Sequence, residues 1–143
     1  MKLSDDDVDL IRASYVRISH DLPHAGEVFY AQLFQIDPAL EVLFVADVDK
    51  QAGKLMSTLG LVVSQLQNWQ DLEPVVEDLA MRHLAYGVHA EHYEAVGKAL
   101  HAMFEEILDR DYAPSMRAAW DRAYRALSDA MIDTAYRARD TSF

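Results

Sequence analysis

Apolar residues recur at helical spacing along nearly the whole chain, in stretches separated by short polar or proline-bearing corners. Ser4 is a good N-cap, and Asp5, Asp6 and Asp7 put negative charge into the positive first turn of a helix whose buried stripe is Val8, Ile11, Tyr15 and Ile18. Asp21-Leu22-Pro23 interrupts that pattern, and a second helix follows with Gly26, Phe29, Tyr30 and Leu33 on its inner side. Asp37-Pro38 reads as the N-cap and first residue of a short helix ending near Leu43-Phe44, because proline is pre-set for a first turn. Beyond the polar corner Ala46-Asp47-Val48-Asp49 lies a long helix with the stripe Gln51, Leu55, Leu59, Val62 and Leu66. Asn68 to Asp71 reads as a connector. The next helix carries Val75, Val76, Leu79 and His83, tolerates Pro74 in its first turn and stops at Gly87. A helix from about His89 to Leu108 has Tyr93, Val96, Leu100, Met103 and Ile107 inside. Pro114 opens the last one, with Trp120, Tyr124, Leu127 and Met131 inside, and Arg137 to Phe143 is expected to fray.

Several helices joined by short corners predict an all-α fold, and their irregular lengths do not suit a plain four-helix bundle. The 143 residues are 51% hydrophobic with five Gly and four Pro, enough for the core of one domain spanning 1–143 and too few breakers for an all-β fold. The absence of cysteine excludes disulfides, thiolate metal sites and a cysteine nucleophile. A net charge of -11 opposes binding to nucleic acid or an anionic membrane surface. The opening Met1-Lys2-Leu3-Ser4 lacks a signal-peptide pattern, and no apolar stretch approaches a membrane span, so a cytoplasmic location is expected.

Three polar side chains sit where apolar ones would pack more cheaply. Gln51 begins an apolar stripe, Tyr30 lies one turn after Gly26 on an inner face, and His83 continues the Val76–Leu79 stripe. A buried amide or imidazole costs roughly 1–3 kcal/mol unless it finds a partner. Taken singly, each has an ordinary structural explanation: a hydrogen-bonded core histidine, a tyrosine reaching the surface, a solvent-exposed glutamine. Taken together they fit one site. A neutral imidazole is a strong axial ligand for iron, and Tyr30 and Gln51 are hydrogen-bond donors for the opposite side. Leu55, Val62, Phe44, Val88 and Val96 would line an apolar slot between them.

On these residues the chain resembles the bacterial single-domain globins and the globin module of flavohaemoglobins. Phe29-Tyr30-Ala31-Gln32-Leu33-Phe34, Asp37-Pro38-Ala39-Leu40 and Leu43-Phe44 are similar to that family's B helix, C helix and following corner. Lys50-Gln51-Ala52-Gly53-Lys54-Leu55 resembles the start of its E helix. Arg82-His83-Leu84-Ala85-Tyr86-Gly87-Val88, with His92-Tyr93 and Val96-Gly97, resembles its F helix and the corner after it, and Ala119-Trp120 with Ala123-Tyr124 the opening of its H helix. The resemblance implies a globin fold of seven to eight helices around a haem b pocket. His83 would be the proximal ligand, and Tyr30 and Gln51 would stabilise a distal gas. Phe44, Lys54, Leu55, Val62, Arg82, Val88, Tyr93 and Val96 would contact the cofactor, with Lys54 or Arg82 paired to a propionate. The small residues Gly26 and Ala52 would let two helices cross closely. His83 is expected to pass its second ring N–H to a main-chain carbonyl of its own helix.

The implied ligands are dioxygen, nitric oxide and carbon monoxide. The implied roles are oxygen binding or storage, or conversion of nitric oxide to nitrate with an external reductase, since the flavin reductase domain of flavohaemoglobins is not part of these residues. The family's proximal glutamate has no counterpart; Ala135, Tyr136 and Arg137 occupy its register. A peroxidase-like enzyme, a gas sensor and a helical module without haem are the alternatives. The first wants a titrating distal group, which Gln51 cannot be. His20, His24, His89, His92 and His101 show no convergent ligand spacing, and Asp5 to Asp7 lack the pattern of a calcium loop.

Overall fold

Ser4 opens the first helix as expected. Its hydroxyl accepts from the Asp7 main-chain N–H at 3.0 Å while the Asp7 carboxylate reaches back to the Ser4 N–H, a capping box that starts α1 (Asp5–Ile18). The computed structural model describes residues 3–43, 48–85 and 90–140. Among these, five further α-helices follow: α2 (Leu22–Ile36), α3 (Val48–Ser64), α4 (Trp69–Ala85), α5 (Ala90–Leu108) and α6 (Pro114–Asp140). Short 3-10 turns at Ser19–Asp21, Pro38–Leu43 and Asp109–Asp111 complete the described chain, and it contains no strand. The short helix expected after Asp37 is the second of these turns. No described helix is long and apolar enough to cross a membrane.

Two boundaries differ from the sequence reading. The fourth helix begins at Trp69, inside the supposed connector, so Pro74 falls in its second turn. The proline removes one donor there but leaves only the exposed backbone of Gln70 without it, which water can serve. The last helix runs on through Arg137, whose guanidinium pairs with Asp133 one turn earlier at 3.0 Å. Phe44, the corner residues Ala46 and Asp47, Gly87, Val88 and His89 lie outside the described residues.

Helix α2 packs on α3 and α5, α1 on α6 and α3, and α4 on α6. Phe29, Phe104, Ile11, Leu33, Leu72 and Met103 are buried between them. One polar link runs through this core. Ser14, buried on α1, donates to the Ile11 carbonyl at 2.7 Å and accepts the Trp120 indole N–H at 2.6 Å. The pair ties α1 to α6 and leaves neither buried group unsatisfied. Arg122 of α6 grips the Asp7 carboxylate with two nitrogens and holds it below the usual carboxylate range. Tyr15, expected in the buried stripe, is half-buried because its hydroxyl reaches over α3 to donate to the Met56 carbonyl at 3.1 Å.

The α2–α3 crossing depends on small residues. A Cβ built on Gly26 would stand 2.7 Å from the Cβ of Ala52, inside any real carbon contact. Gly26→Val therefore forces the helices apart and should cost about 1–3 kcal/mol by overpacking. Urea titration checks this, and an unchanged midpoint would mean that the crossing is looser than described.

Candidate functional site

Both α3 and α4 carry a wider apolar arc than their packing requires. On α3 the face against α2 and α1 is Ala52, Met56 and Val63, all buried. The adjacent stripe holds half-buried Gln51, Leu55 and Thr58, with buried Val62. On α4 the face against α6 is Leu72, Val76 and Ala80, again buried, and the adjacent stripe is Val75, Leu79 and His83, all half-buried. The stripes read from the sequence fall mostly on these second faces, with Val76, Val62 and Leu66 as their buried members. Although consecutive in the chain, α3 and α4 make no substantial contact with each other among the described residues. Each rests on a different partner helix, and a cleft opens between them.

Part of that cleft, about 400 Å³, is lined by Thr58, Leu61, Pro74, Val75, Asp78, Leu79 and Arg82. Its walls are mostly apolar, and the large side chain of Leu61 is 45% exposed. A flat apolar group would remove these surfaces from water at a gain of roughly 25 cal/mol per Å².

His83 projects from the cleft stripe of α4. Its Nδ1 lies 2.7 Å from the Leu79 carbonyl oxygen one turn earlier. A carbonyl only accepts, so Nδ1 carries the proton, and in the neutral ring Nε2 keeps the lone pair that binds a metal. This is the tautomer and the main-chain partner that the sequence predicts. The Tyr93 ring stands beside it, tilted, with centroids 6.1 Å apart. Tyr93 is held in turn from α6: the Tyr124 hydroxyl donates to its carbonyl at 2.5 Å. Gly97 makes this reach possible, since a Cβ there would stand 2.9 Å from the Tyr124 ring. The sequence offered Gly97 and Tyr124 as separate residues, and their union across two helices was not read from it.

On α2, one turn beyond the Gly26–Ala52 crossing, Tyr30 is 6% exposed and meets Phe29 edge to face at 5.1 Å. Burial pushes its phenol up to about 12, so it remains a protonated donor at neutral pH. Gln51 adjoins Ala52 on the other side of the same crossing. The contact that lets α2 and α3 approach thus brings the segments bearing these two donors together.

The other expected residues divide. Leu55 and Val62 lie on the cleft stripe of α3, and Tyr93 and Val96 are half-buried on α5. Lys54 is exposed on α3. Arg82 lines the cleft, but its guanidinium is engaged by Asp78 at 2.9 Å, which makes it a poorer partner for a further carboxylate than the sequence suggested. Leu79 was read only as a packing residue; it also supplies the carbonyl that orients His83. In the register expected for a proximal glutamate, Ala135 is half-buried and Tyr136 is 66% exposed. Phe44 and Val88 lie outside the described residues. No cluster of three or more metal-ligating carboxylates, histidines or cysteines occurs among the described residues.

Comparison with known proteins agrees with the helical fold. The family model described as Globin matches residues 27–131. The neuroglobin of Danio rerio is 31% identical, with 91% of each chain covered. Neuroglobin-1 of Oncorhynchus mykiss is 29% identical over the same share. An engineered carbene transferase built on a candidate nitric oxide dioxygenase of Rhodothermus marinus superposes with a TM-score of 0.87 at 24% identity, covering 97% of each chain. A bacterial globin from Campylobacter jejuni gives 0.83 at 20% identity, covering 96% of this chain and all of the other.

Proposed function

This chain belongs to the globin family, whose members bind haem and diatomic gases, and from that premise we propose that His83 is the proximal ligand and Tyr30 and Gln51 the distal donors. The observation that carries the reading is the His83 Nδ1–Leu79 carbonyl bond across from a cleft with apolar walls. It leaves one basic nitrogen, on a half-buried ring, where a flat iron-bearing ligand would need it. Haem supplies, when bound, an iron centre at which a diatomic gas binds reversibly.

The chain's own groups do the rest. Leu79 fixes the imidazole tautomer and its rotation. Tyr93, anchored by Tyr124, limits how far that ring can turn. Leu55, Val62 and Val96 would keep water from the cofactor, together with Phe44 and Val88. Lys54 is free of the Asp78 pairing that occupies Arg82 and is the better candidate for a propionate. Tyr30 and Gln51 would donate hydrogen bonds to a polar gas held beside them, in a setting where such bonds are stronger than in water. Neither exchanges a proton near neutral pH, which favours gas binding over peroxidase-like proton transfer.

We therefore read the protein as a dioxygen-binding globin, of the haem b type, that stores oxygen or converts nitric oxide to nitrate when an external reductase regenerates it. The test is the visible spectrum of the purified protein: reduced, then in air, then with nitric oxide. A persistent oxygenated spectrum is expected, giving way on addition of nitric oxide with nitrate released in equal amount. A protein that takes up no haem, or whose reduced spectrum does not change in air, would refute the proposal.

A further inference from the structure

The corner between α5 and α6 holds a second buried polar cluster. Tyr112 follows the Asp109–Asp111 turn, where Asp109 takes a left-handed φ of 49° that swings the chain back. Tyr112 and His101 of α5 are each 8% exposed, and the phenol oxygen lies 2.7 Å from His101 Nδ1. On the other side of the ring, Nε2 is 3.8 Å from Oδ1 of Asp121 on α6. That separation is too long for a hydrogen bond, but the negative charge on this side of the ring favours the imidazole proton on Nε2, which makes Nδ1 the acceptor and the phenol the donor. The phenol in the dry interior therefore faces a neutral base, and behind that base stands a half-exposed carboxylate that Arg125 steadies at 3.1 Å. The remaining charges at the cluster, Arg117 and Glu105, pair with each other. Burial raises the Tyr112 pKa and lowers that of His101, so both rest neutral. Phe104 stacks on Tyr112 at 5.4 Å and meets Trp120 at 4.9 Å, which seals the phenol from solvent.

We propose that Tyr112 and His101 form a proton-coupled redox site, in which Tyr112 yields one electron to a strong one-electron oxidant as its phenolic proton passes to His101 Nδ1. The O–H bond breaks and an N–H bond forms. Tyr112 becomes a neutral phenoxyl radical, the oxidant is reduced by one electron, and the new imidazolium faces Asp121. The oxidant is of the peroxyl-radical class, which takes up the electron and a solvent proton to become a hydroperoxide, so the site does not depend on the haem ligation above. Proton placement decides which phenol can react. Removing an electron alone would leave a highly acidic radical cation in a low-dielectric interior, where an unpaired charge is costly. A base already in hydrogen-bond contact prevents that. Tyr15 and Tyr124 lack this arrangement, since they donate to the main-chain carbonyls of Met56 and Tyr93, which take up no proton.

Photogenerated ruthenium(III) tris(bipyridine) provides the oxidant, and freeze-quench electron paramagnetic resonance of the haem-loaded protein reads the product. The persistent phenoxyl signal should fall at least about tenfold in Tyr112→Phe and in His101→Gln and remain in Tyr15→Phe. Radical formation in the wild type should also slow in D2O, which decides the matter if His101→Gln does not fold. A persistent signal undiminished in Tyr112→Phe, or formation at the same rate in D2O, would overturn the proposal.

Discussion

Tyr30→Phe should release dioxygen roughly ten- to a hundredfold faster than the wild-type protein in a stopped-flow experiment. The substitution keeps the ring that packs edge to face on Phe29 and removes only the hydroxyl, so the core beneath it is undisturbed. A hydrogen bond to partial negative charge in a low-dielectric pocket is worth about 1.5–3 kcal/mol, and each 1.4 kcal/mol corresponds to tenfold in rate. Association should change far less, since entry of the gas does not require that bond. Because burial keeps the phenol protonated to about pH 12, the effect should be constant across the neutral range. A release rate equal to that of the wild type would remove Tyr30 from the distal site and leave its role to Gln51.

The parts of the fold that were legible in the sequence are those decided within a turn or two of chain. Ser4 with Asp7 makes its capping box from neighbours three residues apart, and Asp37-Pro38 sets the turn that follows it. The tautomer of His83 was legible for the same reason, since the carbonyl one turn back on its own helix is always within reach. Gly26 and Ala52 could be paired because a close helix crossing demands small residues at both positions.

What escaped the sequence depends on which surface covers which. Periodicity shows that a helix has an apolar face but not whether that face meets another helix or a cleft. Val75 and Leu79 were therefore read only as packing residues, whereas Met56, Val63, Leu72 and Ala80, which are buried against other helices, were not singled out. The distinction is functional, because the surplus apolar arc is the part available to a cofactor. Ser14 and Trp120 are 106 residues apart, and nothing local to either foretells their bond. The His101–Tyr112–Asp121 cluster escaped for a related reason. Its members are ordinary on their own elements, and only the return of the chain at Asp109 brings them together.

The second large effect concerns His83, on which the functional account rests. Replacing an outer-shell partner of a metal ligand typically weakens binding by about 10–100-fold, so loss of the ligand itself should cost more. The ring is half-buried, with its proton tied to the Leu79 carbonyl, so a small side chain in its place breaks no other described hydrogen bond and should leave the helices standing. The decisive measurement is therefore haem retention by His83→Gly, with helicity checked by circular dichroism and with free imidazole then added. The account predicts a folded protein that purifies with little pigment and recovers haem and gas binding when imidazole fills the gap; a folded variant with wild-type haem content and wild-type gas affinity would contradict it.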